Sequence, residues 1–117
     1  MLSRISGIEG IDAEKGIEVA GGEDAYVVIC RNFYDTADMR INMIREAFEK
    51  KEYHDYTIQV HALKSSARLI GALALSRQAE ELEEAGREEN FERIQKDTSR
   101  LLDQYEWYFE RFGEVLG

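Results

Sequence analysis

Proline is absent from the 117 residues, and cysteine and tryptophan occur once each. Without proline, glycine has to supply most of the breaks between helical segments. The lone Cys30 excludes an internal disulfide framework and a cysteine-based metal cluster. It suits a reducing compartment and is expected to fill core. Long apolar runs are missing too: the longest, Ala25 to Cys30, falls far short of the ~20 residues that span a bilayer. The opening Met1-Leu2-Ser3-Arg4-Ile5 has no apolar h-region, so no secretory signal is expected and the localisation expected is cytoplasmic. Positive charge is in the minority, with 15 Lys and Arg against 24 Asp and Glu and a net charge of −9. That balance argues against nucleic acid or an anionic membrane as the main partner, since both require a basic footprint.

What is present favours a folded helical domain. Apolar residues make up 44% of the chain, enough for one compact core despite 33% charged residues. Gly7, Gly10, Gly16, Gly21 and Gly22 crowd the first part of the chain. Residues 1–22 therefore read as an irregular lead with one short helix around Asp12 to Val19. From Glu23 onward Tyr26, Cys30 and Phe33 recur at helical spacing, and Asp35 is placed to cap a second helix carrying Ile41, Ile44 and Phe48. A third is expected from His54 to Ile70, with Gly71 as its left-handed terminator. A fourth carries Ala72, Leu75, Ala79, Leu82 and Gly86. The last starts at an Asn90 cap and runs through Phe91, Ile94, Thr98, Leu101, Tyr105, Tyr108 and Phe112 in steps of three and four. No strand-like alternation competes. The fold expected is all-α, an antiparallel up-and-down four-helix bundle over residues 23–117 with a short extra N-terminal helix, in a single domain.

One stretch stands apart chemically. From Tyr56 to Ala79 there is no Asp or Glu, although acids are abundant elsewhere, and Lys64, Arg68 and Arg77 fall inside it. On a helical wheel of about 100° per residue, Tyr56, Val60, Leu63, Ala67 and Ile70 form a buried side, with Ile58, Ala62 and Leu69 on a second, buried or semi-buried side. The sector left for solvent holds Thr57, His61, Lys64, Ser65 and Arg68. A solitary histidine on a helix is usually a solvated or core residue. This one is flanked by cations and has no carboxylate nearby in sequence, a poor setting for a metal ligand or the base of a triad. It suits a carrier of a phosphoryl group. Neutral imidazole is a good nucleophile, with a reference pKa near 6.5, and neighbouring cations stabilise the charge spread over phosphoryl oxygens. His54 lies near the same ridge, but two helical turns separate the two rings by about 10 Å, too far to share an ion. No metal site is expected.

The run His61-Ala62-Leu63-Lys64-Ser65-Ser66-Ala67-Arg68-Leu69-Ile70-Gly71-Ala72, followed by Leu75, Ala79, Leu82 and Glu83, resembles the signature of histidine-containing phosphotransfer (HPt) domains. Gly21-Gly22 leading into a helix rich in Tyr and Phe, and the long last helix, are similar to that family as well. The resemblance covers roughly Ile11 to Phe112. One departure is Ser65, where many members carry glycine after the lysine. The resemblance implies a histidine phosphotransfer module of a multistep two-component phosphorelay. His61 would accept a phosphoryl group from a receiver-domain aspartyl phosphate and pass it to another receiver. Lys64 would stabilise the phosphoryl charge and Ser65 would be the close-contact position, while the wheel adds Arg68 and Thr57 as phosphoryl or partner contacts. The partners implied are response-regulator receiver domains and a hybrid sensor histidine kinase, and the Mg2+ required would sit on the receiver. No cofactor of its own is expected.

Two other readings use the same residues. The chain can be the phospho-acceptor domain of a chemotaxis-type kinase, or a helical adaptor whose ridge is never phosphorylated. No glycine-rich nucleotide loop of the G-x-x-x-x-G-K-[ST] or G-x-G-x-x-G kind occurs, so kinase activity of its own is not expected. The Glu80 to Glu89 cluster and Lys50-Lys51 read as solvated faces, and Tyr53, Tyr56, Tyr105, Trp107 and Tyr108 as packing residues.

Overall fold

The computed structural model describes residues 1–116, and the regular structure among those residues is all α-helix, with no strand. Six helices follow one another: α1 (Leu2–Ser6), α2 (Ala13–Ala20), α3 (Glu23–Glu49), α4 (Tyr53–Ile70), α5 (Leu73–Arg87) and α6 (Phe91–Leu116). The four long ones form the body, with α3 and α5 each packed against both α4 and α6. At a rise of about 1.5 Å per residue the 27-residue α3 is about 40 Å long, which matches the 40 Å long axis of the molecule. No helix among the described residues is long and apolar enough to cross a membrane.

Two expectations need correction. Asp35 does not start a new helix, because α3 runs unbroken from Glu23 to Glu49. The buried stripe Tyr26, Cys30, Phe33, Ala37, Ile41, Ile44 and Ala47 continues straight through it, and Asp35 faces solvent on the opposite side. The N-terminal lead contains two short helices where one was expected. Fully buried Ile5 anchors α1, and Arg4 donates to the Glu114 carbonyl at the end of α6.

The ends of α4 fix its position. Gly71 terminates it with φ +85, and a Cβ there would lie 2.3 Å from the Asp12 carbonyl oxygen. Glycine is required for both reasons. The Asp12 amide donates to the Gly71 carbonyl, and its carboxylate accepts from the Lys15 amide to cap α2. Buried Tyr26 on α3 donates its hydroxyl to the Ile70 carbonyl at 2.7 Å. At the other end Tyr53 stacks on Phe91 of α6, with ring centroids 4.4 Å apart. Asn90 caps α6 as expected, accepting from the Arg93 amide. In the interior Tyr56 and Thr98 share a hydrogen bond of 2.6 Å between α4 and α6, and Cys30 is plain core.

Candidate functional site

The buried face of α4, made by Tyr56, Val60, Leu63, Ala67 and Ile70, turns His61 outward, with 54% of its side chain exposed. Opposite stands α5, whose facing side is built from small residues. A Cβ at Gly86 would meet the Thr57 hydroxyl oxygen at 2.0 Å and Thr57 Cβ at 3.1 Å, so glycine is what lets the two helices approach here. Further along, Ser76 donates to the Lys64 carbonyl at 2.9 Å.

This close approach carries Glu83 of α5 beneath the ridge. Its side chain is 1% exposed and collects three partners. His61 Nδ1 and Arg87 Nη2 each lie 2.5 Å from Oε2, and Lys64 Nζ lies 2.7 Å from Oε1. Burial pushes the Glu83 carboxyl pKa up, but the Lys64 ammonium and the His61 N–H outweigh it, and the group sits below the ordinary carboxylate value. An ionised carboxylate can only accept hydrogen bonds, so Nδ1 must carry the proton that lies between it and Oε2. In the neutral ring the lone pair then belongs to the second nitrogen, Nε2. Lys64 pairs with the other carboxylate oxygen, Oε1, and its side chain is only 23% exposed. Its ammonium is a compact charge beside the ring on a four-carbon stem.

Beyond the imidazole the surface opens into a groove of about 550 Å³ lined by His54, Thr57, Ile58, His61, Gly86, Arg87 and Phe91 among others. An exposed imidazole, a buried carboxylate at its Nδ1 and cations on both sides make an arrangement that can bind an anionic group. The Hpt domain family model matches residues 28–106. The chain belongs to the Hpt domain family. Histidine phosphotransfer in a phosphorelay is therefore its class of function.

The crystal structure of histidine-containing phosphotransfer protein B (HptB) from Pseudomonas aeruginosa PAO1 is similar to this Hpt domain, with a TM-score of 0.72 at 20% sequence identity. The alignment covers 92% of this chain and 90% of that chain, and at this identity it speaks for the fold. No curated protein shows a match to the sequence.

The residues singled out from the sequence are distributed unevenly over this Hpt domain. His61 and Lys64 meet at Glu83, whereas Arg68 is exposed one turn further on and forms no ion pair among the described residues. Ser65 is half-buried beside them. Thr57 lines the groove, but its hydroxyl donates to the Tyr53 carbonyl at 2.7 Å and its side chain packs on Gly86. Its first task is to seat α4 on α5.

Three readings are corrected here. His61 does have a carboxylate partner, Glu83, which the acid-free stretch of sequence concealed. Glu83 is buried rather than part of a solvated cluster, although its neighbours Glu80, Glu81 and Glu84 are exposed as expected. Ile58 and Leu69, assigned to a buried or semi-buried sector, are 50% and 37% exposed and flank the ridge with apolar surface. A signal for Glu83 was available: it falls four residues after Ala79 and three before Gly86, on the same small-residue stripe of α5.

Proposed function

We propose that His61 is the phospho-acceptor of a multistep phosphorelay, taking a phosphoryl group from the aspartyl phosphate of one receiver domain and delivering it to another. The observation that carries this reading is the Glu83 contact, which holds the proton on Nδ1 and presents Nε2 outward. In the forward step the Nε2 lone pair attacks phosphorus and the bond from phosphorus to the receiver's carboxylate oxygen breaks, its electron pair leaving with the carboxylate. The ring keeps its Nδ1 proton, and the positive charge it acquires faces ionised Glu83. Delivery reverses the step: the N–P bond breaks, its pair returns to Nε2, and a second receiver's carboxylate takes the phosphoryl group.

Because the transition state is loose and spreads charge over three oxygens, positioning and charge do most of the catalysis. Lys64 lies within one turn of His61 and can swing to those oxygens. Arg68 and Ser65 lie where the receiver closes, with exposed Ile58 and Leu69 as apolar contacts beside them. The one carboxylate at the ring is already shared among three partners, so the magnesium ion of the reaction belongs to the receiver's acidic pocket. On this reading the domain is a carrier and not a kinase, and its upstream donor is a hybrid sensor histidine kinase acting through its receiver.

A panel of phosphorylated receivers, run beside an ATP-dependent histidine kinase as a separate donor, tests the proposal. His61→Gln should lose all acid-labile, base-stable label while keeping its helicity, and His54→Gln should keep its label. Labelling by the kinase alone would favour the chemotaxis-type acceptor reading. An unlabelled wild-type protein would leave the adaptor.

A further inference from the structure

Arg87 is not part of the acceptor ridge on α4, yet it shares an oxygen with the acceptor. Its Nη2 and His61 Nδ1 contact the same Oε2 of Glu83, so the two nitrogens are no more than about 5 Å apart. Arg87 and His61 also line the same groove. The arginine side chain is 61% exposed, and it sits in the last turn of α5 just after Gly86, with room to move. One of its donors holds Glu83, while a guanidinium has five in a planar fork suited to phosphate oxygens. When Arg87 turns away, buried Glu83 keeps the His61 N–H and the Lys64 ammonium, so its charge is not left without partners, and a phosphoryl dianion offers the exposed guanidinium a second anion.

We propose that Arg87 is a phosphoryl-binding residue, resting on Glu83 while His61 is free and turning onto the phosphoryl group once it is attached to Nε2. The proposal rests on the reading of His61 as the acceptor. The movement has two consequences. Glu83 loses one of its cations at the moment the ring gains positive charge, so the carboxylate is left to the Nδ1–H and Lys64. The wall of the groove at Gly86 and Arg87 also differs between the free and phosphorylated states. A partner can therefore tell the two apart by a feature other than the phosphoryl group itself.

The test loads the full chain with phosphoramidate, a small-molecule phosphoryl donor: its P–N bond breaks, ammonia leaves and the Nε2–P bond forms. Two readouts follow, the 31P chemical shift of the phosphohistidine against pH and the 15N-detected Nε–H signal of Arg87 with and without phosphorylation. A guanidinium on the dianion disfavours its protonation. Arg87→Ala should therefore raise the phosphoryl group's proton affinity roughly threefold or more, with partial return in Arg87→Lys. Arg77→Ala, on the other flank of α5, should leave it unchanged. The wild-type Arg87 signal should move on phosphorylation. A titration identical in wild type and Arg87→Ala, with a stationary Arg87 signal and His61 labelled, overturns this inference and leaves the carrier reading intact. Label on a residue other than His61 overturns both.

Discussion

Replacing Glu83 by Gln keeps the shape of the side chain and removes its charge, which isolates what the carboxylate does. In the wild type both Glu83 oxygens accept, from His61 and Arg87 at Oε2 and from Lys64 at Oε1. A glutamine has one accepting oxygen, and its amide nitrogen must then face either a cation or the imidazole. If it faces the ring, Nδ1 becomes the acceptor and the proton moves to Nε2, which loses its lone pair. In a buried triad a wrong tautomer costs about 10⁴ in rate. His61 is half exposed and water can rescue part of the population, so a loss of about 10- to 100-fold in transfer at saturating receiver is expected. The fold should suffer less. Breaking a fully buried pair costs about 3–5 kcal/mol, but His61 and Arg87 are more than half exposed and can return to water. About 1–2 kcal/mol is expected, a fall of roughly 4–8 °C in Tm for a domain of this size.

The pH dependence gives the sign. Glu83 has its folded pKa below the ordinary 4.5, so its contribution to stability is complete above that value and is lost as pH falls through the depressed one. The Tm difference between wild type and Glu83→Gln should therefore close on acidification below about pH 4.5. Circular dichroism melts from pH 3 to 8, with stopped-flow transfer rates at neutral pH, measure both effects. Wild-type transfer rates together with a Tm that tracks the wild type at every pH would refute the reasoning.

Lys64→Ala should slow receiver-dependent transfer by about 10- to 1000-fold, the range for removing one positioned electrostatic stabiliser, with a smaller effect on stability; an unchanged rate at saturating receiver would take its charge out of the mechanism. Gly71→Ala should destabilise the domain by about 2 kcal/mol or more in urea titrations, because it forces both a left-handed alanine and a clash with the Asp12 backbone. Hydrogen exchange should then show α2 opening first, since its anchor on the end of α4 is the contact that is lost.

The helices α4, α5 and α6 were legible because glycine or asparagine marks their ends and large apolar residues mark their buried faces. Between Phe33 and Ile41 the link is Ala37, a small residue that gives little apolar signal, and a capping-type Asp35 beside it suggested a break. Tertiary packing on the rest of the bundle keeps that turn helical. Helix α1 is five residues long with one buried side chain, too short to display any period. In the site, His61 and Lys64 were readable because they are three residues apart on one helix, a spacing that local geometry converts into a neighbourhood. Glu83 and Arg87 reach the same point from another helix, and only the register of α4 on α5, set by Thr57 against Gly86, brings them there.

That register also explains the acid-free stretch. On the proposed function, a carboxylate on the ridge of α4 would compete for Lys64 and Arg68 and repel the phosphoryl group, and the exposed acid that α4 does carry, Asp55, stands in its first turn ahead of the ridge. The first acids after the gap, Glu80 and Glu81, are exposed, and Glu83 alone among the acids of the Glu80 to Glu89 cluster is buried. Beside His61 stand Lys64 and Arg87, with Arg68 two turns on, against buried Glu83 at the ring and Glu89 in the wall of the groove, on a body whose net charge is −9. At physiological salt a charge is felt over about 8 Å. A partner in contact with the ridge therefore meets its excess of positive charge, while the acidic remainder of the surface is screened. On the proposed function, a single carboxylate beneath the ring orients the nucleophile without cancelling that excess, the balance that an acidic receiver pocket requires.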